Sequence, residues 1–302
     1  MPVMTWEKLQ SRIDDGRGQG HGENYKPWLW IHRKNPSRRG NQVTGRMPVY
    51  RRGAHFLSAV EVHIALLCFY LGAADVREQF PLWPFPHPHP LEGALPTARL
   101  FPPMRGLLDI AEEAGIDHGT EVGSSDVPYV ATLDLAITLM TASGPRLAGV
   151  MGKPHDQVVG TKLNERDVDR LRLQCLYLAE AGAHAVIVDQ SLIGDHTAEN
   201  LESFSAAAKL PSHLVHGGLQ SDFCCRLVEI ASDHAIDPAI ARTASEFGLA
   251  ASDANLLWRH GVWTRAIDID ITQQLLMNEP LALGGTRTAA ALAEQLFGEV
   301  AP

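Results

Sequence analysis

The chain has 302 residues, of which 45% are hydrophobic and 20% are charged, a composition that predicts a globular protein of two domains. No run of eighteen apolar residues occurs, and the segment from Met1 to Arg17 lacks an apolar signal core. These features exclude a membrane-spanning protein at the level of the sequence and indicate a cytoplasmic one.

The net charge of −9 has the wrong sign for a protein that holds DNA by its phosphates. The distribution is uneven, however, because residues 24–60 contain eight basic side chains and no acidic one. Such a segment is either a solvated surface loop or a local DNA contact. In the second case the predicted DNA-binding residues are Arg33, Lys34, Arg38, Arg39, Arg46, Arg51 and Arg52.

The first fifty-five residues show little periodicity, which predicts an extended arm with short elements. The nearly continuous apolar run from Leu57 to Ala73 predicts a buried helix. A short strand is expected over Val76–Leu82, and a helix from Leu107 that ends at Gly115.

The next segment predicts most of a sheet. Strands are expected over Tyr129–Met140, Leu147–Lys153 and His184–Asp189, with an amphipathic helix over Glu165–Gly182 between the second and third. Helix, strand, strand, strand, helix, strand is the order of a mixed sheet flanked by helices, an α/β fold.

After Asp195 the pattern changes to short helices, and we divide the chain into domains 1–192 and 193–302. Cap residues and apolar spacing predict helices over 222–232, 237–247 and 252–260, and alternation predicts a strand over Val262–Ile271. This order is typical of a winged-helix-like domain. It lacks a strongly basic helix, which favours a protein partner over DNA.

Three residues are candidates for chemistry. Glu61 interrupts an apolar helix, where a carboxylate is costly unless it lies on an exposed edge or has a compensating partner. Asp134 lies in the middle of a predicted strand, where Asp is disfavoured, and Lys153 ends the following strand. An acid on one strand and a lysine on the next is the layout of PD-(D/E)xK nucleases, although ordinary hairpins carry the same pair.

Several strings resemble the TnsA family of transposon endonucleases. They are DDGRGQGHGENYKPWL from Asp14, LSAVEVHIALLCFYL and ADVREQFPLWP around Glu61 and Ala74, ATLDLAI around Asp134, and GVMGKP ending at Pro154. They occur in the family's order from about residue 12 to about residue 190.

The resemblance implies a restriction-endonuclease-like domain followed by a helical, winged-helix-like one. It implies cleavage of the 5′ strand at transposon ends, with a DDE-type transposase cutting the other strand and an AAA+ regulator bound to the C-terminal domain. Carried over by position, Glu61 and Asp134 bind Mg²⁺ (or Mn²⁺) and Lys153 is catalytic, with Met151 offering its main-chain carbonyl to the metal.

Two positions depart from the family. Met151 replaces a Gln, and Gln174 replaces a Glu that would bind a second cation. These changes leave open an alternative, in which the chain is a nuclease-fold adaptor that only bridges the transposase and its regulator. A free-standing restriction or repair nuclease of the same fold is a third interpretation.

Overall fold

The computed structural model describes residues 3–31, 42–94, 101–124, 126–153, 155 and 164–298. The chain forms two compact units. The first comprises Met1–Arg46, Arg52–Leu192 and Gln295–Pro302, and the second comprises Met47–Arg51 and Ile193–Glu294.

The first unit is built on a mixed sheet. Its elements are α1 (Trp6–Asp14), β1 (Val43–Arg46), β2 (Gly53–Phe56), α2 (Ala59–Tyr70), β3 (Asp75–Leu82), α3 (Leu107–Ala114), β4 (Ala131–Thr141), β5 (Gly144–Gly152), α4 (Glu165–Glu180) and β6 (His184–Val188). The strand order is β3-β4-β5-β6, in which only the pairing of β5 with β6 is parallel. The predicted restriction-endonuclease-like sheet flanked by helices is therefore confirmed.

Helices pack on this sheet through apolar side chains. The core joins Phe80 and Leu133 of the strands to Tyr177 and Leu178 of α4, and all four are nearly inaccessible to solvent. At Gly149 an added Cβ would lie 2.5 Å from Leu178 Cδ1. The glycine thus leaves room for the Leu178 side chain of α4 to pack directly on β5.

The N-terminal segment is more ordered than an extended arm. It contains α1, and two aromatic residues after it are buried against β3. The Tyr25 hydroxyl donates to the Glu78 carbonyl at 2.9 Å, and the Trp28 amide donates to the Gln79 carbonyl at 3.2 Å. Since β3 is an edge strand of the sheet, these bonds cover backbone groups that would otherwise be exposed for pairing.

The second unit is helical. It contributes α5 (Asp195–Ser205), α6 (Leu219–Ala231), α7 (Ile236–Glu246) and α8 (Ala251–Trp263), and α9 (Thr286–Phe297) follows. The three helices predicted here are confirmed, with starts one to three residues earlier than expected.

The strand predicted over Val262–Ile271 is not formed. Helix α8 continues to Trp263 because Val262 and Trp263 extend its buried face, and Arg265 then turns the chain with a φ of 60°. In the described part of this segment, β-type pairing is restricted to an isolated bridge between Ile269 and Leu283. The β-wing expected at residues 262–271 is thus absent.

None of the helices in the described ranges combines the length and apolar composition that a membrane span requires.

Candidate active site

Glu61 lies in the first turn of α2 and is buried, with 7% of its surface exposed. The Ser58 hydroxyl accepts a hydrogen bond from the Glu61 amide and donates one to Glu61 Oε1, at 3.2 and 3.0 Å, and the Leu57 amide donates to Oε2 at 3.0 Å. This pattern is a variant of the capping box, in which the carboxylate reaches the amide before the cap residue and the hydroxyl of the cap itself. A third donor comes from the sheet, where Gln79 Nε2 lies 3.1 Å from Oε2. The carboxylate is therefore not on an exposed helix edge.

Asp134 lies where β4 and β5 separate. The pairing of β4 with β5 ends at Leu135 with Val150, whereas β5 stays paired with β6 as far as Gly152 with Val188. The half-buried Asp134 carboxylate occupies this opening and accepts a hydrogen bond from the Gly152 amide at 2.6 Å. A polar side chain in mid-strand is thus accommodated because the ladder ends beside it.

The two carboxylates interact. Burial, and after it the negative charge of Asp134, raise the pKa of Glu61 to about 7. Burial also raises the pKa of Asp134, although the positive charge of Lys153 and the Gly152 amide act in the opposite direction. The structure therefore brings Asp134 close enough to affect the pKa of Glu61, and Lys153 close enough to affect the pKa of Asp134.

Lys153 follows directly on β5, and its amide donates to the Val188 carbonyl at 2.8 Å. Its side chain and that of Asp134 line a cleft of about 730 Å³. Gln174 of α4 lines the same cleft and donates from Nε2 to the Thr132 carbonyl at 2.8 Å. Asp134, Lys153 and Gln174 therefore line the same cleft.

The donor set fits a hard divalent cation. The negative charge of Asp134 contributes to the raised pKa of Glu61. A cation between the two carboxylates would offset this repulsion, and Mg²⁺ prefers oxygen ligands. The Met151 side chain is fully buried in the core. The group of Met151 that suits such a cation is its main-chain carbonyl oxygen, because the thioether sulfur is not an oxygen ligand. Within the described ranges, no group of three or more His, Cys, Asp or Glu is arranged to hold a metal.

The predicted DNA-binding residues are only partly visible. Arg33, Lys34, Arg38 and Arg39 lie outside the described residues, and of Arg46 only the backbone, in β1, is described. Arg51 is exposed. Arg52 instead forms two hydrogen bonds with the buried Glu78 carboxylate, at 2.7 and 2.8 Å. Contrary to the expectation, the Arg52 guanidinium is committed to the interior and is not free for a phosphate.

Sequence reasoning missed two features of this site. Gln79 of β3 donates a hydrogen bond to the carboxylate of Glu61. Arg166 and Arg170, one turn apart on α4, line the cleft beside Asp134. The spacing of the two arginines on an exposed helix face was the available signal, whereas nothing local in the sequence identifies the partner of Gln79.

No protein-family model matches the chain. Over 82 residues the chain is 39% identical to the Transposon Tn7 transposition protein TnsA of Escherichia coli. The match covers 26% of this chain and 28% of that protein, so it spans well under two thirds of the relative. About a quarter of the chain is therefore similar in sequence to TnsA.

Proposed function

We propose that the chain is a metal-dependent DNA endonuclease that cleaves the 5′ strand at transposon ends, as one subunit of a heteromeric transposase. One observation carries this proposal: two carboxylates and a lysine converge from three separate elements. Glu61 comes from α2, Asp134 from β4 and Lys153 from the residue after β5. Partial similarity to a transposition protein supports the biological context.

In this proposal Glu61 and Asp134 would hold Mg²⁺, or Mn²⁺, together with the Met151 carbonyl. A bound Mg²⁺ would activate the attacking water and offset charge on the scissile phosphate. The Lys153 ammonium, whose positive charge opposes the burial-driven rise of the Asp134 pKa, would orient that water and add positive charge next to the phosphate. The capping bonds from Leu57 and Ser58 would keep the Glu61 carboxylate oriented before substrate arrives.

The DNA would enter the cleft that Asp134 and Lys153 line. Arg166 and Arg170 are positioned on its wall to contact phosphates. The basic residues Arg33, Lys34, Arg38, Arg39 and Arg51 remain DNA contacts proposed from the sequence. The same cleft also contains acidic side chains of α4. We therefore expect weak binding of DNA by the isolated chain, and positioning of the DNA by partner proteins.

The partners are proposed from the resemblance. The first unit would be the nuclease domain, and residues 193–302 would bind an AAA+ regulator. A DDE-type transposase would cut and join the 3′ strand.

The proposal is tested by strand cleavage of transposon-end DNA with the cognate transposase, the regulator and Mg²⁺. Asp134→Asn and Lys153→Ala are compared with wild type and with Asp14→Asn, which removes the same charge at an exposed position of α1. We expect 5′ cuts from wild type and Asp14→Asn, none from the two site variants, and 3′ cuts from all four. Equal 5′ cleavage by all four proteins would refute the site.

A catalytically inactive adaptor is the second candidate. Two observations favour it. Among the described residues, no third acidic or imidazole side chain joins the two carboxylates as a metal ligand. In addition, Gln174 stands where a further carboxylate would help to bind a second cation. The same assay decides, because an adaptor would support assembly and 3′ joining while wild type makes no 5′ cut. Cleavage without any partner would instead indicate a free-standing nuclease.

A further inference from the structure

Gln79 has an unusual backbone for a residue inside a strand. Its neighbours Glu78 and Phe80 pair with Leu135 and Leu133 of β4, but Gln79 does not pair with Asp134, which lies between those two. The φ angle of Gln79 is 49°, in the left-handed region that costs a non-glycine residue roughly 1–2 kcal/mol. The ladder is thus interrupted at the position where Asp134 enters the site.

The side chain of Gln79 is also incompletely satisfied. It is buried, with 1% exposure, and Nε2 donates to Glu61 Oε2 at 3.1 Å. When Glu61 is ionised, the amide nitrogen must face Oε2, because the amide oxygen would otherwise face a carboxylate oxygen. Among the described residues Oε1 has no hydrogen-bond partner, and a buried acceptor without one is costly.

Gln79 differs from the other donors to Glu61. Leu57 and Ser58 belong to the start of α2, so they cap the helix wherever it lies. Gln79 belongs to β3 and connects the carboxylate to the strand beside Asp134. Gln79 therefore links the Glu61 carboxylate to the strand that lies next to Asp134.

We propose that Gln79 is a positioning residue of the site formed by Glu61 and Asp134. Its amide nitrogen holds Glu61, and its amide oxygen accepts a hydrogen bond from the hydration shell of the divalent cation. The backbone conformation is retained because it aims this side chain at Glu61. The inference rests on the proposed function, since it assumes that the two carboxylates bind such a cation.

The inference is tested by measuring the dissociation constant of Mn²⁺ from the full chain in the absence of DNA. Free Mn²⁺ is quantified by its electron paramagnetic resonance signal. Gln79→Gly removes the side chain and relaxes the backbone, because glycine accepts a φ of 49° freely. Gln79→Asn tolerates the same backbone but is too short to reach Glu61. Phe80→Leu, at the next position of β3, is the control for a loosened sheet.

We expect both Gln79 variants to bind Mn²⁺ about 10- to 100-fold more weakly than wild type, as for other residues that orient metal ligands. Phe80→Leu should keep the wild-type constant. In the cleavage assay the Gln79 variants should need more Mg²⁺ for half-maximal rate by the same factor. If Gln79 had a purely structural role, its variants would instead contain less folded protein, and the Mg²⁺ concentration for half-maximal rate would not change.

Wild-type Mn²⁺ affinity in both Gln79 variants would overturn the inference and leave Gln79 a backbone role only. The proposed function fails in a different way: wild type and Asp134→Asn would then bind Mn²⁺ equally, or not at all, and the inference falls with it. If Gln79→Gly does not fold, the comparison of Gln79→Asn with Phe80→Leu decides.

Discussion

The burial of Glu61 beside Asp134 predicts how metal-free stability depends on pH. The pKa of Glu61 rises from an ordinary value of 4.5 to about 7. Because one pKa unit corresponds to about 1.4 kcal/mol, ionised Glu61 costs the folded state roughly 3 kcal/mol. The folded state holds this proton more tightly than the unfolded chain does. The unfolding free energy therefore falls as the pH rises from about 4.5 to about 7.

Glu61→Gln removes this titration while keeping the size of the side chain. Between pH 4.5 and pH 8 we expect the unfolding free energy of the variant to rise by about 3 kcal/mol relative to that of wild type. Any constant difference in hydrogen bonding cancels when only the pH dependence is compared. Buried imidazoles such as His89, whose pKa is lowered by burial, act with the opposite sign and are common to both proteins.

The assay is urea unfolding without divalent metal at several pH values. It is followed by tryptophan fluorescence, to which Trp28 and Trp83, packed edge to face in the unit that contains Glu61, contribute together with the other four tryptophans. The reasoning would be refuted if the difference in unfolding free energy between the two proteins changed by less than about 1 kcal/mol between pH 4.5 and pH 8. Mg²⁺ should stabilise wild type more than Glu61→Gln at pH 8, since binding to the folded state alone raises stability.

Three further predictions concern single positions. Asp134→Asn should lower the rate of 5′ cleavage at least about 100-fold while circular dichroism shows the fold intact; loss of the fold would contradict this. Arg52→Ala leaves the buried Glu78 carboxylate unpaired, so calorimetry should show a melting temperature about 10 °C lower. Gly285→Ala should destabilise the second unit by about 2 kcal/mol, because an added Cβ would overlap the neighbouring main chain. Gly194→Ala, where an added Cβ meets nothing within 4 Å, should cost far less in the same urea titration.

Most helices and strands of the sheet could be predicted because they are set by local apolar periodicity. The helix around Glu61 and the strands that contain Asp134 and precede Lys153 are examples. The segment from Val262 shows the limit of that reasoning. Its alternating residues fit a strand by pattern, but they continue the buried face of α8 for as long as the neighbouring helices cover it.

The sequence by itself determined which residues could act: a carboxylate in an apolar helix, a second one in a strand and a lysine at the next strand end are all unfavourable or distinctive locally. Only the tertiary structure decided how they meet. The interaction of Glu61 with Asp134, the hydrogen bond from Gln79 to Glu61 and the burial of Arg52 against Glu78 all join residues distant in sequence. Burial and charge interactions depend on three-dimensional distance and on the exclusion of water, and local sequence patterns encode neither of them.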